Sequence, residues 1–301
     1  MAVHGTGSDE PAHASTGGDA VPFEHILYEN RSGVAHVTLN RPDRLNVLGV
    51  GPGSNRDEIS RALTNADADD DIGCVLIAAN GRAFCAGGDL LGGGGTTPLD
   101  HHLFGEAIVR FYAGIRGMHK PVIAAVNGLC LGAGMGFVAH CDFTFAGDDA
   151  EFGLIEGRIG HPGAADLVSK IGAAWAKFLI LTGETIDAER AQEIGLVLAV
   201  LPRDELIERV TDLAERLARM PREAVLLNKA CIDDVADAMG GASGRLVGRA
   251  HDTVTKSMAD DARAPDGRRF ADILRGEGME GLKRARSTQY KTPWLPPRSK
   301  P

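Results

Sequence analysis

The sequence has few cysteines, few aromatic residues and no long apolar run. Its five cysteines, at positions 74, 85, 130, 141 and 231, are odd in number and contain no C-x-x-C pair. We therefore expect a reducing, cytoplasmic setting without structural disulfides or a zinc site. No apolar run approaches the roughly 20 residues that cross a bilayer, which argues against a membrane span.

Basic residues are also outnumbered. The chain has 32 Lys and Arg against 41 Asp and Glu, a net charge of −9, which argues against a nucleic-acid partner. Residues 1–20 are rich in Gly, Ser, Thr, His and Asp and lack an apolar segment, so we expect a flexible tail and not a signal peptide. The 301 residues, 44% of them hydrophobic, can bury a large core.

Two stretches combine a buried strand with a glycine-rich turn. In the first, the apolar run 122–126 is followed by Asn127-Gly128 and then by Leu131-Gly132-Ala133-Gly134-Met135-Gly136, which opens a helix ending near His140. Small residues let a ligand approach the backbone, and the first N–H groups of a helix have no partner inside it. This turn is therefore suited to an electron-rich group such as a developing oxyanion.

The second stretch repeats this arrangement. The strand predicted over 74–79 is followed by Asn80-Gly81 and by a segment that contains Gly87 and Gly88. Each turn could supply one N–H group to a single oxygen, although glycines there could also serve helix-on-sheet packing alone. A dinucleotide fingerprint is disfavoured because the third glycine falls at 136 where the motif needs 137. A serine hydrolase is disfavoured because no G-x-S-x-G occurs.

Five segments in the same order resemble the enoyl-CoA hydratase/isomerase family, also called the crotonase family. FCAGGDL resembles its F-C-A-G-x-D-L segment, and KPVIAAVNGLCLGAGMG resembles K-P-V-I-A-A-V-N-G-x-x-x-G-G-G. Residues 39–46 resemble L-N-R-P-x-x-x-N, residues 152–156 resemble F-G-x-x-E, and residues 181–197 resemble L-T-G followed by A-x-x-A-x-x-x-G-L-V. The match covers roughly residues 24–203, with a looser helical C-terminus.

The resemblance implies an α/β fold, a crotonase-type spiral of ββα units with a helical C-terminal trimerisation region. We place the flexible tail at 1–20, the spiral core at 21–203, the helical region at 204–290 and a proline-rich tail at 291–301. Helical spacing predicts helices over 57–65, 106–118, 172–181, 187–194, 206–217, 222–239, 245–260 and 268–286, and alternation predicts a hairpin over 24–40. A homotrimer or homohexamer is implied by the resemblance alone.

The resemblance also assigns the reacting groups. The substrate would be an acyl-CoA thioester of fatty-acid type metabolism, with no cofactor and no metal. The backbone N–H groups of Gly88 and Ala133 would stabilise the thioester enolate, and Glu156 would act as general acid/base. Ala133 replaces the usual glycine and adds a methyl group. The expected substrate-binding residues are Arg44, Asn46, Ala86, Gly88, Asp89, Leu90, Leu91, Ala133 and Gly136.

One family residue is missing, because Gly136 stands where hydratases of the family carry a first glutamate. A single carboxylate favours isomerase-like proton shuttling, which moves a 3-enoyl double bond to the 2-position. Another group could replace the carboxylate: His161 in the loop after Glu156, His140 on the Gly136 helix, or His101 and His102, which we expect on an exposed loop after the glycine run. A hydrolase or C–C lyase using His161 and a catalytically silent acyl-CoA-binding homologue stay open, and the glycine run 92–95 suggests a lid over the acyl group.

Overall fold

The structure, a computed structural model, describes residues 22–90, 97–161, 163 and 165–296. The predicted N-terminal tail, Leu91, the glycine run 92–95 and the last five residues of the proline-rich tail lie outside the described residues. Within the described ranges, no helix is both long and apolar enough to cross a membrane.

The strands of the described chain all lie in its first two thirds. They are β1 (Ile26–Arg31), β2 (Val34–Leu39), β3 (Cys74–Ala79), β4 (Ala83–Cys85), β5 (Val122–Val126), β6 (Leu129–Leu131), β7 (Phe143–Gly147), β8 (Glu151–Gly153), β9 (Thr185–Asp187) and β10 (Ala199–Leu201).

Helices lie between these strands and make up most of the C-terminal part. They are α1 (Asn55–Ala68), α2 (Pro98–Arg116), α3 (Met135–His140), α4 (Val168–Lys177), α5 (Ala188–Glu193), α6 (Leu206–Ala218), α7 (Arg222–Ala236), α8 (Ala242–Ala259) and α9 (Phe270–Ser287).

The larger sheet has the order β1-β2-β3-β5-β7-β10. Its first two strands form the predicted hairpin, which turns at Ser32 and Gly33 with φ of 52° and 78°. Strands β3 and β5 are parallel neighbours, and both are apolar because helices or other strands cover each of their faces. The predicted strands 74–79 and 122–126 are confirmed at both ends.

The smaller sheet positions the site. Its order is β4-β6-β8-β9, with β4, β6 and β8 parallel. Cys85 at the end of β4 pairs with Cys130 of β6, and Leu131 pairs with Gly153 of β8. The segments that follow these three strands therefore leave the sheet at one edge, and they are the two glycine-rich turns and the turn that carries Glu156.

Two C-terminal helices pack against the strand-rich part of the chain: α6 on the larger sheet and α9 on the turn that carries Glu156. Helix α6 buries Leu206, Val210 and Ala214 against the larger sheet. Helix α9 contributes Phe270 and Leu282 to an apolar cluster whose other members include Ile159, so it supports the turn that carries Glu156; the whole buried set is Ile159, Ala264, Phe270, Ile273, Leu282 and Ala285.

Helix α2 begins earlier than the sequence analysis predicted. The expected start at Glu106 is wrong, because Thr97 and Asp100 form a capping box and Pro98 occupies the first turn. His101 and His102, expected on a loop after the glycine run, therefore lie on a helix. The missed signal was the sequence Thr-Pro-Leu-Asp at residues 97–100.

Candidate active site

The two glycine-rich turns lie side by side. Leu48 N–H donates to the Gly87 carbonyl and Asp89 N–H donates to the Leu48 carbonyl, both at 2.9 Å, and no backbone hydrogen bond within the described part of the chain uses the N–H of Gly88. Gly88 is exposed, and a methyl group built on it would lie 3.9 Å from Cβ of Ala133. Gly88 and Ala133, predicted as oxyanion donors, thus face each other across a narrow gap.

Ala133 lies in a single 3₁₀ turn, Gly132–Gly134, that directly follows β6. The first N–H groups of such a turn have no partner within it. A Cβ atom at Gly134 would overlap the carbonyl oxygen of Cys85. Glycine at this position therefore lets the turn that follows β6 pack directly against the end of β4. The added methyl group of Ala133 points toward Gly88 and narrows the gap without forcing a left-handed backbone.

Glu156 reaches the same place from the third strand. It lies in the 3₁₀ turn Ile155–Ile159, and its Oε2 atom would lie 3.0 Å from a methyl group built on Gly132. A methyl group on Gly163 would lie 3.4 Å from Oε1. The carboxyl group therefore packs closely against the backbone at Gly132, whose φ of 52° also favours glycine.

The electrostatic setting of Glu156 suits proton transfer. Burial raises the pKa of the Glu156 carboxyl to about 7, and the positive charge of Arg286 on α9 opposes that rise. Oε2 is buried and has no hydrogen-bond partner among the described residues. An unpartnered carboxyl oxygen with a pKa near neutrality can take up and release a proton at physiological pH.

Tyr112 of α2 fills the space where the first family glutamate would project. A Cβ atom on Gly136 would lie 2.6 Å from the Tyr112 hydroxyl oxygen and would overlap the ring. The hydroxyl donates to the Ala133 carbonyl, and burial raises the pKa of Tyr112 further above its usual range. The phenol therefore stays protonated at neutral pH and supports the turn that carries Ala133.

The histidine candidates have different surroundings. His140 is buried, its Nδ1 lies 2.8 Å from the Gly136 carbonyl oxygen, and its ring stacks on Tyr112 at 5.1 Å. His161 donates its backbone N–H to the Glu156 carbonyl at 3.0 Å, and burial, followed by the charge of Lys256, lowers the pKa of its side chain to about 4. His101 is buried against Ser257 of α8 at 3.3 Å, which corrects its expected exposure. His102 lies 3.8 Å from Glu106 on the outer side of α2.

The predicted substrate-binding residues near the site divide into supports and lining groups. Asn46 is a buried support, because its Oδ1 accepts from Arg41 N–H and its Nδ2 donates to the Asn80 and Ala83 carbonyls at 2.7–2.9 Å. Its amide is therefore fully engaged by backbone, which corrects the expectation of substrate contact. Arg44 is exposed and pairs with Asp89 at 3.2 Å.

Ala86 and Leu90 flank the Gly88 turn and are partly exposed, as lining residues are. Leu90 also packs against the apolar cluster formed with α9. Leu91 lies outside the described residues.

Three residues around this site were not predicted from the sequence: Tyr112, Arg56 and Lys256. Arg56 is only 5% exposed although it lies in the first turn of α1, and its positive charge acts on the Tyr112 hydroxyl. Lys256 on α8 lies over the ring of Phe104 of α2, with Nζ 3.1 Å from the ring centroid. Their positions depend on contacts between elements far apart in sequence, and helical spacing alone carries no signal for them.

Comparisons with known proteins agree on one family. Residues 29–249 match the family model described as enoyl-CoA hydratase/isomerase. A probable enoyl-CoA hydratase (echA8) of Mycobacterium bovis is 36% identical over 214 residues, which cover 67% of this chain and 81% of that protein. A probable enoyl-CoA hydratase of Rhizobium meliloti is 34% identical over 215 residues, covering 70% and 82%.

Solved structures give the same result. An enoyl-CoA hydratase/isomerase from Xanthobacter autotrophicus Py2 superposes with a TM-score of 0.83 at 28% identity, covering 90% of this chain and all of that one. An enoyl-CoA hydratase from Mycobacterium smegmatis superposes with a TM-score of 0.78 at 26% identity, covering 90% and 96%. The predicted family and the predicted α/β crotonase-type fold are confirmed.

Proposed function

The chain belongs to the enoyl-CoA hydratase/isomerase family and is an acyl-CoA enzyme of it, and on that premise we propose that it shifts a double bond within an enoyl-CoA thioester. The reaction we propose converts a 3-enoyl to a 2-enoyl thioester with Glu156 as the single proton carrier. The observation that supports it is the buried Oε2 atom of Glu156, which has no hydrogen-bond partner among the described residues and lies beside the facing pair Gly88 and Ala133.

In this proposal the two turns hold the thioester oxygen. The N–H groups of Gly88 and Ala133 donate to it as negative charge develops, and each such donor typically contributes about 3 kcal/mol to the transition state. The hydrogen bond from Tyr112 to the Ala133 carbonyl keeps the second turn in place.

Glu156 then moves one proton. Its carboxylate removes a proton from C2, and the electron pair of that C–H bond forms the enolate. The enolate electrons move into the C2–C3 bond, and the pair of the C3–C4 double bond takes the proton from Glu156 at C4. The base ends the cycle ionised, as it began, and the CoA moiety of the substrate is the only cofactor-like group that the scheme uses.

Addition of water is disfavoured because nothing at position 136 can activate it. Hydratase chemistry in the family uses a carboxylate there, and here Tyr112 occupies that volume with a hydroxyl of raised pKa. We therefore favour isomerase chemistry although the relatives named above are called hydratases.

We also propose a homotrimer or a homohexamer built from two trimers, supported by the exposed apolar side chains on α7 and α8. They stand out because helices on the surface of a monomer usually place such residues inward. The exposed set is Leu227, Ile232, Val235, Leu246, Val247, Val254 and Met258.

Two other functions remain as outcomes of the test. A hydrolase or C–C lyase would use His161, which follows Glu156 by five residues, donates its backbone N–H to the Glu156 carbonyl and has a side-chain pKa lowered to about 4. A silent homologue would bind CoA esters without turnover.

The test is mass spectrometry of 2-enoyl-, 3-enoyl- and β-keto-CoA esters incubated in D₂O with the wild type and Glu156→Gln. A double-bond shift or C2 deuteration without water addition, lost in Glu156→Gln, is the expected result. Water addition by the wild type at a comparable rate would overturn isomerase chemistry. Free CoA or chain cleavage that survives in Glu156→Gln would move the chemistry to His161, and tight binding without any turnover would indicate the silent homologue.

A further inference from the structure

The Glu156 turn, residues 155–159, packs against residues 178–183, a helical turn that directly follows α4. A Cβ atom on Gly157 would overlap the Ile180 carbonyl oxygen, so the two stretches of backbone are in direct contact. The Ile180 side chain extends this contact, because its Cδ1 atom and Glu156 Oε1 would lie 3.5 and 3.4 Å from a methyl group built on Gly163. Since closely packed backbone cannot shift independently, the position of the carboxyl depends on residues 178–183.

Arg158 joins the same two stretches at a second point. It lies two residues after Glu156, and its Nε donates to the Gly183 carbonyl at 2.8 Å. A Cβ atom on Gly183 would overlap the Arg158 side chain, and the φ of Gly183 is 66°, so both the space and the backbone conformation favour glycine there. One long side chain therefore links the Glu156 turn to the end of residues 178–183.

The segment that follows α9, residues 288–296, covers this link. The Tyr290 ring lies against the Arg158 guanidinium, with 3.6 Å between the guanidinium carbon and the ring centroid. A guanidinium in this position is attracted by the negative face of the ring. The Tyr290 hydroxyl donates to the carbonyl of Thr182, the residue before Gly183. Tyr290 thus contacts both Arg158 and the backbone to which Arg158 is bonded.

Further contacts hold this segment in place. The Trp294 N–H donates to a Glu184 carboxylate oxygen at 3.4 Å, and the Trp294 ring lies 6.1 Å from the Phe178 ring. Leu295 packs against the main apolar core. Part of the proline-rich tail predicted over 291–301 is therefore held against the stretch that supports the Glu156 turn.

We infer that residues 288–296 position the carboxyl of Glu156, and that Arg158 and Tyr290 are positioning residues for the reaction. Tyr290 holds Arg158, and Arg158 holds the Glu156 turn against residues 178–183. The carboxyl is thereby kept beside the two glycine-rich turns and away from water. This inference deepens the proposed function and takes from it the role of Glu156 as the base.

The protonation of Glu156 reports its position, because burial raises its pKa to about 7 and a loosened turn would admit water and lower that pKa. Arg286 of α9 faces the carboxyl and opposes the rise. Cys85 at the end of β4 and Tyr112 of α2 also face it, and burial raises the pKa of both, to about 11 for the thiol. His161, whose backbone binds the Glu156 carbonyl, has a pKa lowered to about 4. Among these groups, only Glu156 therefore changes charge between about pH 5 and 8.

The test follows the Glu156 carboxyl by infrared difference spectroscopy of the full-length protein between about pH 4 and 9. The C=O band of a protonated carboxyl that is absent from Glu156→Gln identifies it. We expect a midpoint near 7 in the wild type, and one lower by about one pH unit in Tyr290→Ala and in Arg158→Met, because water then reaches the carboxyl. Tyr290→Phe keeps the ring on Arg158 and should lie closer to the wild type than Tyr290→Ala does.

Tyr28→Ala is the matched control. Tyr28 is also partly buried and packs on an aromatic ring, that of Phe23 at 5.7 Å, but it lies on β1 at the edge of the larger sheet. It should lower the Tm and leave the midpoint of Glu156 unchanged. In Tyr290→Ala we also expect kcat on 3-enoyl-CoA to fall roughly 10- to 100-fold, while the Kd of a saturated acyl-CoA stays within about twofold of the wild type.

An unchanged midpoint in Tyr290→Ala and Arg158→Met, or an equal shift in Tyr28→Ala, would overturn the inference. The expected shifts in a protein that does not turn over 3-enoyl-CoA would contradict only the isomerase assignment. If circular dichroism shows that Tyr290→Ala is unfolded, Arg158→Lys replaces it, since lysine keeps the charge but cannot both stack on the ring and donate through Nε. An unchanged midpoint in Arg158→Lys would then count against the inference.

Discussion

Glu156 is the residue on which the chemistry depends, and its carboxyl is held where charge is unfavourable. Burial between Gly132 and Gly163 raises its pKa to about 7, and Oε2 lacks a partner among the described residues. A base with this pKa is about half ionised at neutral pH and is strong enough to assist deprotonation at C2.

The pH dependence of turnover follows from this pKa. Because the ionised form of Glu156 is the reactive one, kcat/KM for the double-bond shift should fall about tenfold per pH unit below 7 and level off above it. Initial rates from pH 5 to 9 would show this. A profile that is flat between pH 5 and 7 would mean that Glu156 is not the base.

The same pKa predicts how Glu156 affects stability. Its folded pKa is raised above the unfolded value near 4.5, so wild-type stability is fully present below pH 4.5 and falls as pH rises to about 7. The total loss is at most about 3 kcal/mol. Glu156→Gln has no such charge.

We therefore expect Glu156→Gln to be more stable than the wild type at pH 8 and similar to it at pH 4.5, measured by urea unfolding at both values. The double-bond shift should meanwhile fall by roughly 10³ in the variant. A variant destabilised at pH 8 would show that the carboxylate is bound by unrecognised partners and is not a poised base.

Gly136 and Tyr112 are a matched pair at the position of the missing glutamate. Gly136→Glu should destabilise the fold by roughly 2 kcal/mol or more, because its Cβ would overlap the Tyr112 ring. Combining it with Tyr112→Ala removes the overlap, so we expect the double variant to fold and to add water to 2-enoyl-CoA. Tyr112→Phe, which keeps the ring, is the control and should gain no hydration. Wild-type stability of Gly136→Glu in thermal unfolding would contradict this packing.

At the scale of elements, three parallel strands decide where the chemistry lies. The two glycine-rich turns and the Glu156 turn leave β4, β6 and β8 at one edge of the smaller sheet. Both turns and the strands over 74–79 and 122–126 could be predicted from the sequence, because apolar runs followed by Asn-Gly are strong local signals. Strands β4 and β6 could not, because three residues each are too few for a periodic pattern.

Gly134 is the residue through which the glycine-rich turn after β6 packs against the end of β4, next to the other glycine-rich turn. Gly134→Ala should cost roughly 2 kcal/mol and lower turnover roughly 100-fold, because the new Cβ would overlap the Cys85 carbonyl and displace Ala133 from Gly88. Gly114→Ala in α2 is the matched control, since nothing lies within 4 Å of its Cβ. That control should be neutral or slightly stabilising, as Ala is in a helix interior. Unchanged turnover in Gly134→Ala would show that the facing of Gly88 and Ala133 is not required.

At the scale of the whole molecule, the exposed apolar faces of α7 and α8 predict self-association. Light scattering on the purified protein should give about 95 kDa, three times the 31.7 kDa chain, or twice that for a hexamer. Ile232→Glu combined with Val235→Glu should reduce the mass to that of one chain. Leu27→Glu, at a similarly exposed position on β1, should leave the assembly intact. A wild-type mass of one chain would contradict the trimer.

The family and the fold class could be predicted from the sequence because its motifs are local and occur in order. The surroundings of the site could not. Tyr112, Arg56 and Lys256 come from α2, α1 and α8, which meet only in the folded chain. Asn46 shows the opposite error, since its motif suggested substrate contact while its amide is engaged by the backbone of Arg41, Asn80 and Ala83.

The central claim is that one carboxylate carries the proton from C2 to C4. The most direct measurement uses a 3-enoyl-CoA carrying deuterium at C2, turned over in H₂O and analysed by NMR for the label in the 2-enoyl product. Transfer by Glu156 predicts measurable deuterium at C4 in single turnovers, and none of this product with Glu156→Gln. Conversion by the wild type with no deuterium at C4 even at the shortest times, or conversion that persists in Glu156→Gln, would contradict the claim.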